Sequence, residues 1–169
     1  MNPRLAEWNG LDERQAMEAM LACCGAKRWA AAMVELRPFA SLARLSEEAD
    51  RLWDAMEESD WMEAFACHPR IGERKNSNAT GQSAKWSHQE QASAAVAAEQ
   101  VLEQLAEGNR QYEERFGFTY IVCTTGKSAA EMLAILRHRL ASDRGSELRE
   151  AAEQQRRIMQ IRLGKWLVS

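Results

Sequence analysis

Nearly every segment of this chain repeats apolar residues at helical spacing, and this pattern restricts the fold more than any other feature. Between residues 87 and 107, for example, Ala92, Ala95 and Leu102 belong to a series with steps of three or four positions, which places them on one face of a helix. The other segments are rich in Ala, Leu, Glu, Met and Arg, which favour helices. We predict helices at about residues 12–24, 26–36, 46–58, 60–67, 87–107, 108–116, 128–142 and 145–166.

Composition and charge narrow the class of protein further. The 169 residues are 46% hydrophobic and 28% charged, which is typical of a globular protein long enough to bury a core. We therefore predict an all-α fold, a single-domain helical bundle of about eight helices over residues 1–169. The formal net charge is −3, and Lys and Arg are interspersed with acidic residues, so we expect no nucleic-acid partner.

The start of the chain and its cysteines bear on location and metal binding. No apolar run approaches the roughly 20 residues of a membrane span, and no apolar export signal follows Met1, so we expect no membrane partner. The cysteines form no C-x-x-C pair and match no zinc-binding spacing, which favours reduced thiols, a cytoplasmic location and no metal. They are Cys23, Cys24, Cys67 and Cys123.

Two segments depart from the helical pattern. Residues 118–124 are β-branched and aromatic, which predicts one short extended segment. No second strand is evident, so its peptide groups must be satisfied by other loops, by water or by a bound polar ligand. Residues 69–86 predict a loop that is long for a compact helical domain, and such loops are more often functional or disordered than simple connectors.

His68 stands directly before Pro69, and this pair predicts the end of a helix. A proline disfavours the α conformation of the preceding residue, so His68 should terminate the helix predicted at 60–67. One interpretation is a histidine whose charged form is favoured by the helix dipole. The other is an imidazole aimed into a cleft from a rigid position, and position alone leaves both open.

Ser87 and Glu90 have the spacing of a capping box, in which each side chain bonds a peptide N–H at a helix start. Ser128 and Glu131 repeat this spacing, so the pattern by itself indicates a helix cap. A capped helix N-terminus is also a good site for an anion or a carbonyl oxygen. With Gln91 beside Glu90, the region offers a carboxylate and an amide that, with His68, are suited to proton transfer without a metal.

Arg162 lies on the apolar stripe of the last predicted helix. It follows Ile158 by four residues and precedes Trp166 by four. An arginine there either extends its charge to solvent from the edge of the core or faces a buried anion, and the sequence leaves both open.

Five short motifs occur along the chain in a particular order. They are Leu36-Arg37-Pro38-Phe39, His68-Pro69-x-Ile71-Gly72, Ser87-x-x-Glu90-Gln91, Phe116-Gly117-Phe118 leading into Ile121-Val122-Cys123, and Ile161-Arg162-Leu163. In this order and spacing the sequence resembles the 2-oxo-4-hydroxy-4-carboxy-5-ureidoimidazoline (OHCU) decarboxylase family over essentially its whole length. Many relatives have Asp-Leu-Ala-Gly after His-Pro where this chain has Arg70-Ile71-Gly72, so we assign Arg70 no catalytic role.

The resemblance implies an all-α, cofactor-free lyase that acts as a homodimer and forms (S)-allantoin from OHCU, the last step of urate oxidation in purine catabolism. It implies that His68 is the catalytic acid or base and that Glu90 is its partner. The substrate-binding residues that it implies are Pro69, Ser87, Gln91, Ile121, Val122, Cys123, Thr124, Thr125 and Arg162, with the 121–125 stretch acting through its backbone.

The residues themselves leave two other classes of function open. One is a helical binding or regulatory module that keeps a pocket without the chemistry. The other is a metal-dependent hydrolase that uses His68, Cys67 and Glu90. A chelator separates the second alternative from a cofactor-free lyase, and an assay for stereospecific product separates the first.

Overall fold

The computed structural model of the protein describes residues 1–72 and 99–169. The helices in these ranges are α1 (Pro3–Asn9), α2 (Glu13–Cys23), α3 (Lys27–Glu35), α4 (Leu42–Asp54), α5 (Glu58–Ala66), α6 (Glu99–Phe116), α7 (Ala129–Arg139) and α8 (Arg144–Val168). None of the described residues lies in a β-strand, so the predicted all-α class is confirmed. No helix in the described ranges is long and apolar enough to cross a membrane.

The helix starts explain two differences from the predicted boundaries. Helix α1 was not predicted, although Asn2 caps it by accepting a hydrogen bond from the Leu5 N–H at 3.1 Å and Pro3 occupies its first turn. Helix α4 begins at Leu42 rather than at residue 46 because the Ser41 hydroxyl accepts a hydrogen bond from the Arg44 N–H at 3.1 Å. At Ser128, by contrast, the predicted cap is confirmed: its hydroxyl accepts from the Glu131 N–H at 3.1 Å.

Helix α6 corrects a predicted break between residues 107 and 108. The structure has one continuous helix from Glu99 to Phe116, with Gly108 inside it. A Cβ atom at Gly108 would lie 2.7 Å from the Cδ2 atom of Leu136 in α7. The glycine therefore permits close packing of α6 against α7 rather than ending a helix. Residues 87–98 of the predicted 87–107 helix lie outside the described residues.

The described residues form two compact units. The first unit comprises Met1–Ala64 and Arg156–Ser169, and the second comprises Phe65–Gln155. The prediction of a single domain over residues 1–169 stays a prediction.

The first unit has a core built around tryptophan side chains. The rings of Trp8 and Trp29 are buried, while their indole N–H groups donate to the carbonyl oxygens of Ala16 at 3.1 Å and Ala49 at 3.0 Å. Trp8 also packs against Trp166 with ring centroids 5.8 Å apart. Burial of these rings, with the N–H groups of Trp8 and Trp29 satisfied, therefore contributes to the stability of this unit.

Polar side chains in the first unit support turns and helix surfaces. The Asn9 amide donates to the Phe39 carbonyl at 2.9 Å and accepts from the Phe39 N–H at 3.0 Å, which secures the turn after the cis Arg37–Pro38 peptide bond. The buried carboxylate of Glu48 is covered by the exposed side chains of Arg44 and Arg51. These contacts fasten the periphery of the first unit.

The second unit packs α6, α7, the first part of α8 and the non-helical stretch between α6 and α7. Phe65, at the end of α5, contacts Phe118 with ring centroids 5.4 Å apart, and Tyr112 contacts Phe116 at 4.7 Å. Gly117 has φ +83°, a left-handed conformation that favours glycine, and it ends α6. The chain then enters residues 118–124 without the strand partner that an extended segment would ordinarily have.

Candidate active site

His68 lies just beyond the C-terminal end of α5, as the His68–Pro69 pair predicts. Helix α5 ends at Ala66, and the His68 N–H donates to the Phe65 carbonyl at 3.1 Å in the turn that follows. Both His68 and Pro69 are half-buried. The imidazole is therefore carried by a short, bonded turn and remains partly accessible, which is what proton exchange with a small molecule requires.

The imidazole is held by Gln155 of α8, a contact that the sequence analysis missed. His68 Nε2 lies 2.6 Å from Gln155 Oε1, and Gln155 has no exposed surface. A signal for this residue was present, because Gln155 follows Ala151 by four positions and precedes Met159 by four on the buried face of the helix. A fully buried glutamine among apolar residues needs a polar partner, and here the partner is His68.

Residues 121–124 are held by side chains rather than by a neighbouring strand. The Cys123 N–H donates to Gln154 Oε1 at 2.8 Å, and the Cys123 carbonyl accepts from Lys127 Nζ at 2.9 Å. The Ile121 carbonyl accepts from Arg139 Nη1 at 2.6 Å. Several peptide groups that the sequence left without a partner are thus satisfied inside the protein, and only the remainder are available to a ligand.

Helix α6 fastens the start of the same segment. Asn109 Oδ1 accepts from the Tyr120 N–H at 2.8 Å and from the Thr119 hydroxyl at 3.2 Å. The Asn109 amide also lies 3.4 Å from Glu113 Oε1, which accepts from Arg70 Nε at 2.8 Å. Arg70 therefore anchors the loop after His68 to α6, and this gives it a structural contact where the sequence assigned no role.

A buried ionic cluster lies beneath this segment. Arg139 Nε donates to Glu147 Oε1 at 2.7 Å, and the Tyr112 hydroxyl donates to the same oxygen at 2.5 Å. The Arg139 guanidinium also lies 4.9 Å from the centroid of the Tyr120 ring. Burial raises the pKa of Tyr112 and of Tyr120, and the nearby Arg139 charge opposes part of that rise. The tyrosines stay neutral, and Arg139 keeps a charged hydrogen bond to the Ile121 carbonyl.

Consecutive residues of α8 connect the two candidate elements. Gln154 holds the Cys123 N–H, and Gln155 holds the His68 imidazole. In the second unit, His68 and residues 121–124 are thus held by adjacent residues of one helix. A site that contains both elements would require such an arrangement. Within that stretch, Ile121, Val122, Cys123 and Thr124 are buried, whereas Thr125 is exposed.

Arg162 belongs to the first unit and is 3% exposed, so its charge does not extend to solvent. Its guanidinium lies near the buried Cys23. Burial raises the pKa of the Cys23 thiol, and the Arg162 charge opposes part of that rise. The structure therefore excludes the interpretation in which Arg162 extends its charge to solvent from the edge of the core.

The remaining predicted site residues are Ser87, Glu90 and Gln91, and they lie outside the described residues. Their assigned roles stay predictions. Among the residues that the structure does describe, no group of three or more His, Cys, Asp or Glu side chains is arranged to hold a metal ion.

The fold and the site define an all-helical protein with a histidine at a helix end and a buried irregular segment held by side chains. A sequence profile described as OHCU decarboxylase matches residues 9–164. The chain therefore belongs to the OHCU decarboxylase family.

Individual relatives agree with this assignment. The uric acid degradation bifunctional protein TTL of Arabidopsis thaliana is 34% identical over 144 residues, covering 85% of this chain and 44% of that protein. The 2-oxo-4-hydroxy-4-carboxy-5-ureidoimidazoline decarboxylase of Mus musculus is 30% identical over 134 residues, covering 79% of this chain and 75% of the mouse protein. The chain thus spans less than half the length of the plant relative.

A solved structure is also similar. The crystal structure of an OHCU decarboxylase in the presence of (S)-allantoin superposes with a TM-score of 0.75 and 31% sequence identity. The match covers 88% of this chain and 96% of that one. The similarity therefore extends over nearly the whole of a protein with the same helical fold.

Proposed function

We propose that the protein decarboxylates OHCU to (S)-allantoin, the last step of urate oxidation, and that it does so without a metal or organic cofactor. The observation that carries the proposal is His68, held at the end of α5 by a 2.6 Å contact with the buried Gln155. Family membership over residues 9–164 supports the reaction class. The similar OHCU decarboxylase solved in the presence of (S)-allantoin supports the product.

The chemistry of the substrate makes one acid–base group useful. Loss of CO2 leaves an electron pair on the ring carbon, and the adjacent C=N bond can delocalise it. The hydroxyl on the carbon that lost CO2 then gives up its proton as that carbon becomes a carbonyl, and a proton must reach the neighbouring, ureido-bearing carbon from one face, because a single enantiomer forms. An imidazole with an ordinary pKa of about 6.5 can accept and donate protons near neutral pH, and a positioned group of this kind contributes about 10²- to 10⁴-fold.

The buried segment offers peptide groups to the polar edges of such a substrate. Among the described residues, no hydrogen bond involves the N–H groups of Ile121 and Val122 or the carbonyl of Val122. These groups remain for the ureido and ring N–H and C=O groups of a ligand. Neighbouring groups of the segment are held by Arg139 and Gln154, so the available ones are presented on a fixed backbone.

Other assignments rest on the family motifs. Glu90 is proposed to orient the His68 imidazole or to bond the substrate hydroxyl. Pro69, Ser87, Gln91 and Arg162 are proposed to contact the substrate. A homodimer and a cytoplasmic location are likewise proposals that rest on the resemblance.

Circular dichroism tests the proposed function. Because OHCU is unstable, it is generated in the cuvette from urate by the upstream enzymes, and formation of (S)-allantoin is followed against spontaneous racemic decay. We expect strong acceleration by the protein, a loss of about 10²- to 10⁴-fold in His68→Asn, and no effect of a chelator.

His138→Asn is the matched control, because His138 is exposed on α7. It should keep the activity of the unaltered protein. Absence of acceleration would contradict the proposed function and favour a binding module. Sensitivity to a chelator would favour the metal-dependent hydrolase, and full stereospecific turnover by His68→Asn would remove His68 from the mechanism.

A further inference from the structure

The oxygen and the nitrogen of the Gln155 side-chain amide differ in their hydrogen bonding. Oε1 lies 2.6 Å from His68 Nε2, whereas Nε2 has no hydrogen-bond partner among the described residues. The whole side chain is buried. Burying an unpaired N–H group is unfavourable, and an apolar side chain of the same size would avoid this. The reason for a glutamine at this position must therefore lie in the hydrogen bond that its oxygen makes.

The oxygen determines which nitrogen of His68 carries a hydrogen. An amide oxygen only accepts hydrogen bonds, so the 2.6 Å contact requires a hydrogen on His68 Nε2. In a neutral imidazole the lone pair is then on Nδ1. Because an amide does not ionise, Gln155 sets this tautomer without adding charge to the site.

We propose that Gln155 is a positioning residue that holds His68 in the Nε2–H tautomer, so that the proton exchanged with substrate passes through Nδ1. This inference rests on the proposed function, since it takes His68 as the acid–base group. Gln154, one residue earlier, holds the Cys123 N–H at 2.8 Å. The same turn of α8 thus orients the imidazole and the segment that is proposed to bind substrate.

The inference makes opposite predictions for two substitutions. Gln155→Met keeps the volume and removes the acceptor, so we expect kcat to fall about 10- to 100-fold with little change in KM, as when the residues that orient metal-bound histidines are lost. Gln155→Glu keeps an acceptor and adds a negative charge, which favours the imidazolium. We expect it to retain most of kcat at neutral pH and to move the His68 ionisation in the pH–kcat profile to higher pH.

Gln160→Met is the matched control on the same helix. Gln160 donates to the Ser46 carbonyl at 3.0 Å and to Asp50 at 2.7 Å within the first unit. It has no part in the proposed chemistry, so its substitution should lower the free energy of unfolding and leave kcat and the pH profile unchanged. A structural role of Gln155 alone would give this same pattern.

Nitrogen-15 NMR of the histidine side chains reads the tautomer directly and needs no turnover. The His68 signals are assigned by their loss in His68→Asn. We expect the Nε2–H tautomer in the unaltered protein and in Gln160→Met, and a mixture of tautomers in Gln155→Met. An Nδ1–H tautomer in the unaltered protein would mean that the amide is turned end for end, and it would overturn the inference.

Failure of the inference is distinguishable from failure of the proposed function. If the unaltered protein does not accelerate (S)-allantoin formation, the proposed function fails, whatever the tautomer. If the protein is active but His68→Asn keeps full turnover, the role of His68 fails, and the inference fails with it. If His68→Asn is inactive but Gln155→Met keeps kcat and the pH profile, only the inference fails. Should Gln155→Met not fold, the tautomer of the unaltered protein and the pH shift of Gln155→Glu still decide the question.

Discussion

Asn9 in the first unit and Asn109 in the second both hydrogen-bond to a non-helical stretch of the chain, but in different surroundings. Asn9 bonds both peptide groups of Phe39, and Asn109 accepts from the Tyr120 N–H and the Thr119 hydroxyl. Each secures a backbone that lies outside a helix. The first serves a turn near a tryptophan-rich core, whereas the second serves the segment that leads into residues 121–124.

The buried carboxylates show a larger contrast. Glu48 in the first unit is covered by Arg44 and Arg51, whose side chains are 61% and 60% exposed. Glu147 in the second unit pairs with Arg139, whose side chain is 6% exposed. The ion pairs of Glu48 thus lie at the periphery of the first unit, while the second unit pairs Arg139 and Glu147 in its interior to hold a peptide carbonyl. The comparison shows that a helical protein can hold an irregular segment if helix side chains supply its hydrogen bonds.

Removing one arginine from each unit should give the largest difference between the units in the free energy of unfolding. In Arg139→Met, Glu147 remains buried without its guanidinium partner, and we expect a loss of about 3–5 kcal/mol in the free energy of unfolding. In Arg44→Met, the arginine that is removed is exposed and Arg51 still covers Glu48, so we expect a loss of at most about 1 kcal/mol. Urea denaturation of both variants measures this, and equal losses would contradict the contrast.

Replacing each of the two asparagines with alanine should lower stability in both variants but lower activity in only one. Each substitution leaves buried peptide groups unsatisfied and should lower the free energy of unfolding by about 1–3 kcal/mol. Only Asn109→Ala should also lower kcat, by up to about 10²-fold, because it releases the segment proposed to bind substrate. Denaturation and the (S)-allantoin assay test the pair, and an equal loss of kcat in Asn9→Ala would remove the distinction.

Alkaline pH should destabilise both units through buried neutral acids. Burial raises the pKa of Cys23 in the first unit and of Tyr112 and Tyr120 in the second, above ordinary values of 9.0 and 10.0. The unfolded chain then loses protons first, so the free energy of unfolding is steady below about pH 9 and falls above it. Each group contributes up to about 1.4 kcal/mol per pH unit.

The tyrosines should account for the part of this dependence above pH 10. In Tyr112→Phe, the slope of the free energy of unfolding against pH should become shallower there, while Cys23→Ala should flatten the part between pH 9 and 10. Urea titrations at several pH values measure both slopes. If neither substitution changes the slope, these groups do not determine the alkaline limit.

Loss of a helix cap should give the smallest effect, and a similar one in each unit. Ser41 caps α4 in the first unit, and Ser128 caps α7 in the second through its contact with Glu131. Alanine at either position should lower the free energy of unfolding by about 1 kcal/mol and leave kcat unchanged. A much larger loss at Ser128 would show that the second unit depends on the start of α7 for more than helix capping.

Local pattern was sufficient for most of the fold. Helical periodicity predicted the class, and the proline predicted the end of α5. The apolar stripe singled out Arg162 but left open whether its charge is buried or reaches solvent. The break at residue 108 was wrong because Gly108 acts by admitting Leu136 of α7, which is a packing effect between helices. Helix α1 is short, and its signal is one cap and one proline.

The site was predictable only in part, because its contacts are distant along the chain. His68 could be singled out from its own neighbours, but Gln155 lies 87 residues further on. Three of the groups that hold residues 120–123 come from different helices, namely Asn109, Arg139 and Gln154. Nothing in the pattern around residue 120 specifies them, since hydrogen-bond partners of an irregular segment follow from the tertiary arrangement.

The adjacency of Gln154 and Gln155 also limits how this family member can change in length. Successive residues of a helix are rotated by about 100°, so the two side chains point to two different neighbours, Cys123 and His68. Insertion or deletion of one residue earlier in α8 would rotate both amides away together. The first turns of α8 should therefore accept many substitutions at exposed positions but no change in residue number.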